Sequence, residues 1–295
     1  MRWIVWVVFA TLCILSGTSW VISTAVPDAL PSLEQQGLLF CVIGLIAFLV
    51  AGRGWFSRIG STQGVSLGVA FVGFFGAPLV IVEYARNGVA SMNRSALFAM
   101  VPVVVVLAIA AGDGEERGVR RFLLPALVGV GGLLLLLPVG IPGSVLGRVM
   151  LGLVCVAVVM AGLASVWLYR LLHGVALADA IVVAGLVNAV FLLVCSSVSG
   201  DFIWRWSGLA SMLSVSSLVD GVEVMLLIWL LREMSPVRFA ARYLLIPLIT
   251  ILEGYVLIRP EFTVRMGFGT VLLAVGVGVM LFWKAGEEET VLSLR

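Results

Sequence analysis

The sequence predicts an all-α integral membrane protein: ten transmembrane helices forming two inverted five-helix repeats around a central cavity. Three observations predict it. The 295-residue chain is 62% hydrophobic and 12% charged, where a soluble domain carries about 25% charged residues, and its mean hydropathy is +1.19. Its apolar residues gather into ten runs, each near the ~20 residues that cross a bilayer. Two distant stretches also repeat each other at one fixed offset.

The runs cover 3–26, 36–52, 63–85, 90–111, 120–138, 147–170, 176–197, 207–231, 237–258 and 264–283. The first is read as a span and not as a cleaved leader. Its apolar character continues to Val26, and no A-x-A site follows. The connections hold most of the charge, as in "PDALPSLEQQ", "GRGWFSRIGST", "GDGEERGVRR" and "SGDFIWRW". Orientation follows the distribution of Lys and Arg. With the N-terminus cytoplasmic, 12 of the 18 basic residues fall inside, among them Arg2, Arg53, Arg58, Arg170, Arg242 and Lys284. Ten spans then return the C-terminus to the cytoplasm.

The repeat pairs 96–138 with 241–283 at an offset of 145, without gaps. Pro102 meets Pro247, Glu116 meets Glu261, Arg120 meets Arg265 and Gly131 meets Gly276. Apolar bias does not make Pro, Glu and Arg recur at one offset. "SGTSW" (16–20) also pairs with "GLASVW" (162–167) once one inserted residue is allowed, which sets Trp20 against Trp167. The domains are therefore 1–145 and 146–285, with a cytoplasmic tail at 286–295. Five is odd, so the second half crosses the membrane in the opposite sense. That is a common architecture of secondary transporters.

These residues resemble the drug/metabolite transporter superfamily, in its EamA-like ten-helix branch. The likeness rests on "SGTSWVIS" in span one, the A-x5-P starts of spans four and nine (Ala96 to Pro102, Ala241 to Pro247), and the charged turns at Glu116 and Pro260–Glu261. It rests also on the glycine-bearing spans five and ten, and on "REMSPVRFAARYLLIPL" at 232–248. The turn "GDGEERG" is longer and more acidic than the family's usual Gly-Glu. The resemblance implies a cavity lined by spans 1, 3, 4, 6, 8 and 9. It also implies export of small metabolites such as amino acids by alternating access, by exchange with protons or another solute, with no cofactor and no covalent chemistry. The expected place is a bacterial inner membrane.

Candidate residues follow from polar groups placed inside spans. Ser16, Ser19, Trp20 and Ser23 share one face of span one. Such a face either packs closely against another helix or lines a wet cavity. In span eight, Ser216, Asp220 and Glu223 stand at i, i+4 and i+7, with Asp220 near the expected bilayer centre. An isolated carboxylate there costs at least about 2.5–3.5 kcal/mol, which makes Asp220 and Glu223 proton-coupling candidates. The competing reading is a pair satisfied by an arginine or hydroxyls from other helices. Glu253 in span nine is a third intramembrane acid. Trp167 and Tyr243 are aromatic cavity candidates. Pro102 and Pro247 are hinge candidates, because each removes a backbone hydrogen bond. The glycines of spans five and ten are read as scaffold or homodimer contacts.

Other chemistries find little support. Cys13, Cys41, Cys155 and Cys195 lie in apolar runs without CxxC spacing, so neither a disulfide nor a metal site is expected. The one histidine, His173, cannot build a zinc site alone. No basic cluster suggests nucleic acid. A lipid-modifying membrane enzyme would need clustered acids or histidines, and here they are scattered. A non-transporting scaffold explains the helices but not Asp220 and Glu223.

Overall fold

The computed structural model describes residues 3–25, 30–52, 54–112, 119–200, 202, 215–257 and 263–283. Among these residues the chain is helical and contains no strand. The long helical runs are α1 (Trp3–Ala25), α2 (Ser32–Ala51), α3 (Ser61–Asn87), α4 (Ser91–Gly112), α5 (Val119–Leu136), α6 (Val145–Leu172), α7 (Leu177–Ser199), α8 (Val215–Glu233), α9 (Pro236–Leu257) and α10 (Val264–Phe282). Eight of them, α2 to α7 with α9 and α10, are long and apolar enough to cross a membrane. The protein is thus an α-helical, multi-pass membrane protein. The α8 run carries Asp220, Glu223, Arg232 and Glu233, and the expected start of its span at 207–214 lies outside the described residues.

Apolar side chains cover the outside of the bundle as well as its core. Val149, Val156, Leu163 and Trp167 form one exposed stripe on α6, whereas Val154, Val158, Ala161 and Leu168 on the opposite face are buried. In lipid there is no hydrophobic gain in pairing two such faces, so close backbone approach and van der Waals packing decide which helices meet. Glycine makes that approach. Gly44 of α2 packs backbone to backbone on Gly185 of α7, and Gly129 and Gly132 of α5 meet Gly276 and Gly269 of α10. The α5 and α10 glycine faces are therefore used on each other within one chain, while Gly131 and Gly278 face open space.

Two further glycine contacts are related to each other. A Cβ at Gly17 of α1 would stand 2.8 Å from Ile249 of α9, and one at Gly162 of α6 would stand 2.6 Å from Val104 of α4. Gly17 and Gly162 are 145 residues apart, and so are Val104 and Ile249. The rings of Phe98 and Tyr243, also 145 apart, stack on each other at 6.3 Å. These pairs need no inserted residue, which corrects the expected alignment of span one: Trp20 corresponds to Ser165 and not to Trp167.

Three helices depart from a straight α path. In α3 a π-turn at Val72–Gly76 precedes Pro78. The proline ring clashes with the carbonyl four residues back, that of Phe74, and a wider turn relieves it. In α4 the helix breaks at Ala99–Met100, three residues before Pro102. In α9 it breaks at Ala241, and Pro247 sits inside the helix that resumes at Arg242. Both interruptions thus lie on the N-terminal side of the matched prolines, not at the prolines themselves.

The ends of the bundle are tied by polar clamps. Arg58, in the single turn Trp55–Arg58, forks onto Asp179 in the first turn of α7 through Nε–Oδ2 at 2.8 Å, and also reaches the Ala51 carbonyl at 3.0 Å. The Asp179 carboxylate, hydrogen-bonded to it, holds the Arg58 guanidinium above its usual range. Asn93 pairs with both the N–H and the carbonyl of Gly140. Arg265 donates to the Leu135 carbonyl at 2.6 Å, satisfying the open end of α5.

Candidate functional site

Ser16 and Glu223 sit at the centre of the bundle's polar chemistry. The Ser16 hydroxyl donates to Glu223 Oε2 at 3.0 Å, joining α1 to α8. Glu223 stands eight residues from the described start of α8 and ten from its end, about 12 and 15 Å along the axis. The second carboxylate oxygen, Oε1, is buried and has no hydrogen-bond partner among the described residues.

Arg242 faces the same region. Only 7% exposed, it lies six residues inside α9, roughly 9 Å along the axis. Its guanidinium is 4.4 Å from the ring of Tyr243, 4.6 Å from Phe239 and 5.4 Å from Phe74. Cation–π contacts of this kind reach about 2 kcal/mol when desolvated. Nη2 donates to the Tyr243 hydroxyl at 2.8 Å, while Nε is buried without a partner among the described residues. Arg242 lies within electrostatic reach of Glu223, as does Asp220. Even so, Arg242 and Glu223 form no direct ion pair. A half-satisfied acid and a half-satisfied cation face one central region from α8 and α9.

This overturns one expectation. Arg242 is not a cytoplasmic loop residue and leaves the inside tally of basic residues. The break at Ala241 and the rings of Phe74, Phe239 and Tyr243 hold it among aromatics. The signal was present in "SPVRFAARYLL": Pro236 occupies the first turn of the helix, as proline does at helix starts, so Arg242 had to lie almost two turns inside. Phe74 reaches the guanidinium from the π-turn of α3.

The other expected residues divide. Ser19 turns its hydroxyl back to the Ser16 carbonyl at 2.9 Å. The side chains of Trp20, Ser23 and Ser216 lie outside the described residues. Asp220 accepts from Gln36 Nε2 at 3.5 Å. Gln36 is little more than one turn from the start of α2 at Ser32, so this contact lies towards that end of α2. Tyr243 belongs to the centre through Arg242 and Phe98. Glu253 lies one turn beyond Thr250, whose hydroxyl donates to the Gly17 carbonyl at 3.1 Å. Trp167 is 42% exposed on the outward stripe of α6 with Val156 and Leu163, facing away from the buried side of that helix. Phe239 and Arg242 join the site, and Phe74, an aromatic on a candidate cavity helix, belongs to it through Arg242.

A crevice of about 610 Å³ opens between α1, α9 and α10, lined by residues such as Trp6, Phe9, Leu245, Val277 and Phe282. Its walls are apolar and give a solute nothing to orient by. The polar centre is the better candidate, since specificity comes from a few placed polar groups.

No family model matches the chain, and no curated protein matches it. Among solved structures, one described only as the crystal structure of a protein superposes with a TM-score of 0.72 at 18% identity, over 97% of this chain and 100% of that one. At that identity the likeness concerns the fold alone.

Proposed function

We propose that this protein is a secondary active transporter of the EamA-like, drug/metabolite type that exports small metabolites such as amino acids by alternating access, with proton coupling at Glu223. The observation that carries the reading is the central pair itself. Glu223 and Arg242 hold buried, unsatisfied charge-bearing atoms in a membrane bundle where such groups are expensive and mark solute or proton pathways. A scaffold has no use for them.

The two-halves architecture supports the same reading. Ten spans in two inverted repeats explain why Gly17 meets Ile249 as Gly162 meets Val104, and why Phe98 stacks on Tyr243. Pairs related by one offset belong to two similar halves packed around a pseudo-two-fold axis. The interruptions at Ala99–Met100 and Ala241, ahead of Pro102 and Pro247, are the hinges on which the halves rock. Both termini are cytoplasmic in a bacterial inner membrane, and the outward Gly131 and Gly278 are where a homodimer joins.

The test is a thermal-shift screen of detergent-purified protein against amino acids, nucleosides, sugars, polyamines and cationic drugs. A ligand at 100 times its Kd stabilises by about 2.7 kcal/mol. One class is expected to shift the wild type and not Glu223→Gln. No shift from any class would contradict the transporter reading.

A further inference from the structure

We infer that the centre reads a zwitterion: Glu223 takes the ammonium group and Arg242 the carboxylate of an α-amino acid. The inference rests on the transporter reading and names the substrate class of that same site.

The argument begins with what each charge lacks. Aromatic rings stand against the Arg242 guanidinium, and Nη2 is used by Tyr243. The Nε–H is buried and open, and it lies in the guanidinium plane. In-plane N–H groups are what a carboxylate engages, and arginine's fixed fork suits a planar anion. Glu223 gives one oxygen to Ser16 and keeps Oε1 buried and open, an acceptor without its donor. If the two groups closed onto each other they would satisfy one another, yet they form no ion pair. A ligand that completes both must carry a donor cation at one end and an acceptor anion at the other.

Other solutes fit less well. A simple cation that pairs with Glu223 enters the field of Arg242, within reach of the same carboxylate, and leaves Nε open. A simple anion meets the reverse situation. A neutral sugar or nucleoside would leave two buried charges uncompensated, which is the costly arrangement.

The experiment is direct binding by calorimetry in lipid nanodiscs. The twenty protein amino acids are tested first, together with two matched series: L-phenylalanine, phenethylamine and 3-phenylpropionate, and L-leucine, isoamylamine and 4-methylpentanoate. In the series of the amino acid that binds, the zwitterion should bind at least tenfold tighter than its amine or acid analogue. Another binding amino acid is given its own pair of analogues. Arg242→Gln should weaken the zwitterion and the acid while the amine binds as tightly or tighter, and Glu223→Gln should do the mirror image. The wild-type comparison needs no variant to fold, and Arg242→Lys should retain part of the carboxylate preference.

The inference is overturned if no amino acid binds, if the amine or the acid binds as tightly as the zwitterion, or if Arg242→Gln weakens all three ligands alike. The transporter reading fails separately: discriminating binding without transport in proteoliposomes would sink it and leave the zwitterion site standing. Transport of a solute that is not an amino acid would do the opposite.

Discussion

The Ser16 hydroxyl of α1 donates to the Glu223 carboxylate of α8 at 3.0 Å, across 207 residues of sequence. That bond answers why an apolar helix carries a run of small polar residues in its middle. Among the described residues, Ser16 supplies the one hydrogen bond that Glu223 accepts. Ser16→Ala should therefore cost about 1.5–3 kcal/mol, the range for a hydrogen bond to a charged group. Transport is expected to fall tenfold or more, and the melting temperature to drop by about 2–5 °C. Unchanged transport would remove Ser16 from the site.

Gly17 and Gly162 should behave alike. An added Cβ would stand 2.8 Å from Ile249 at one and 2.6 Å from Val104 at the other. Overpacking of this kind costs about 1–3 kcal/mol. Gly17→Ala and Gly162→Ala are each expected to lower the melting temperature in detergent. Ile249→Ala should restore the first and Val104→Ala the second, with no rescue when partners are exchanged. The equality of the two losses tests the single offset of 145.

The clamp between Arg58 and Asp179 is asymmetric. Asp179 is buried, its side chain 2% exposed, while that of Arg58 is 49% exposed. Removing Arg58 strands a buried carboxylate, whereas removing Asp179 leaves an arginine that water can reach. Arg58→Gln should lower the melting temperature, and Asp179→Asn should lower it by less. Thermal melts of both variants decide this, and the reverse order would contradict it.

Opposite orientation of the halves predicts labelling. In a chain whose native cysteines are replaced, Gly143→Cys between α5 and α6 should react with a membrane-impermeant thiol reagent added to whole cells. Gly174→Cys between α6 and α7 should react only after the membrane is opened. Labelling of both from outside would contradict the proposed topology.

Much of the fold was legible because lipid simplifies the code. Apolar runs of spanning length announce helices, and the ends of α6, α7 and α10 lie within two residues of the expected spans. The centre was legible only in part. Glu223 and Ser16 stood out as polar groups in apolar company. Arg242 did not, because a count of basic residues sees charge and not depth, and its burial depends on rings brought from α3 and two points on α9. The contact of Asp220 with Gln36 near the start of α2 joins two distant helices, which a position within one span does not announce. Trp167 failed because an alignment with one free insertion let two tryptophans match, where the contacts of Gly17 and Gly162 admit none.

The central claim is that solute passes the Glu223–Arg242 centre. It is tested most directly by counterflow in proteoliposomes, loaded with unlabelled amino acid and given labelled amino acid outside. The account predicts saturable accumulation of label by the wild type, reduced tenfold or more in Glu223→Gln and in Arg242→Gln, while both variants keep a cooperative melt. Accumulation that is the same in wild type and both variants, or absent from well-folded wild type, would contradict it.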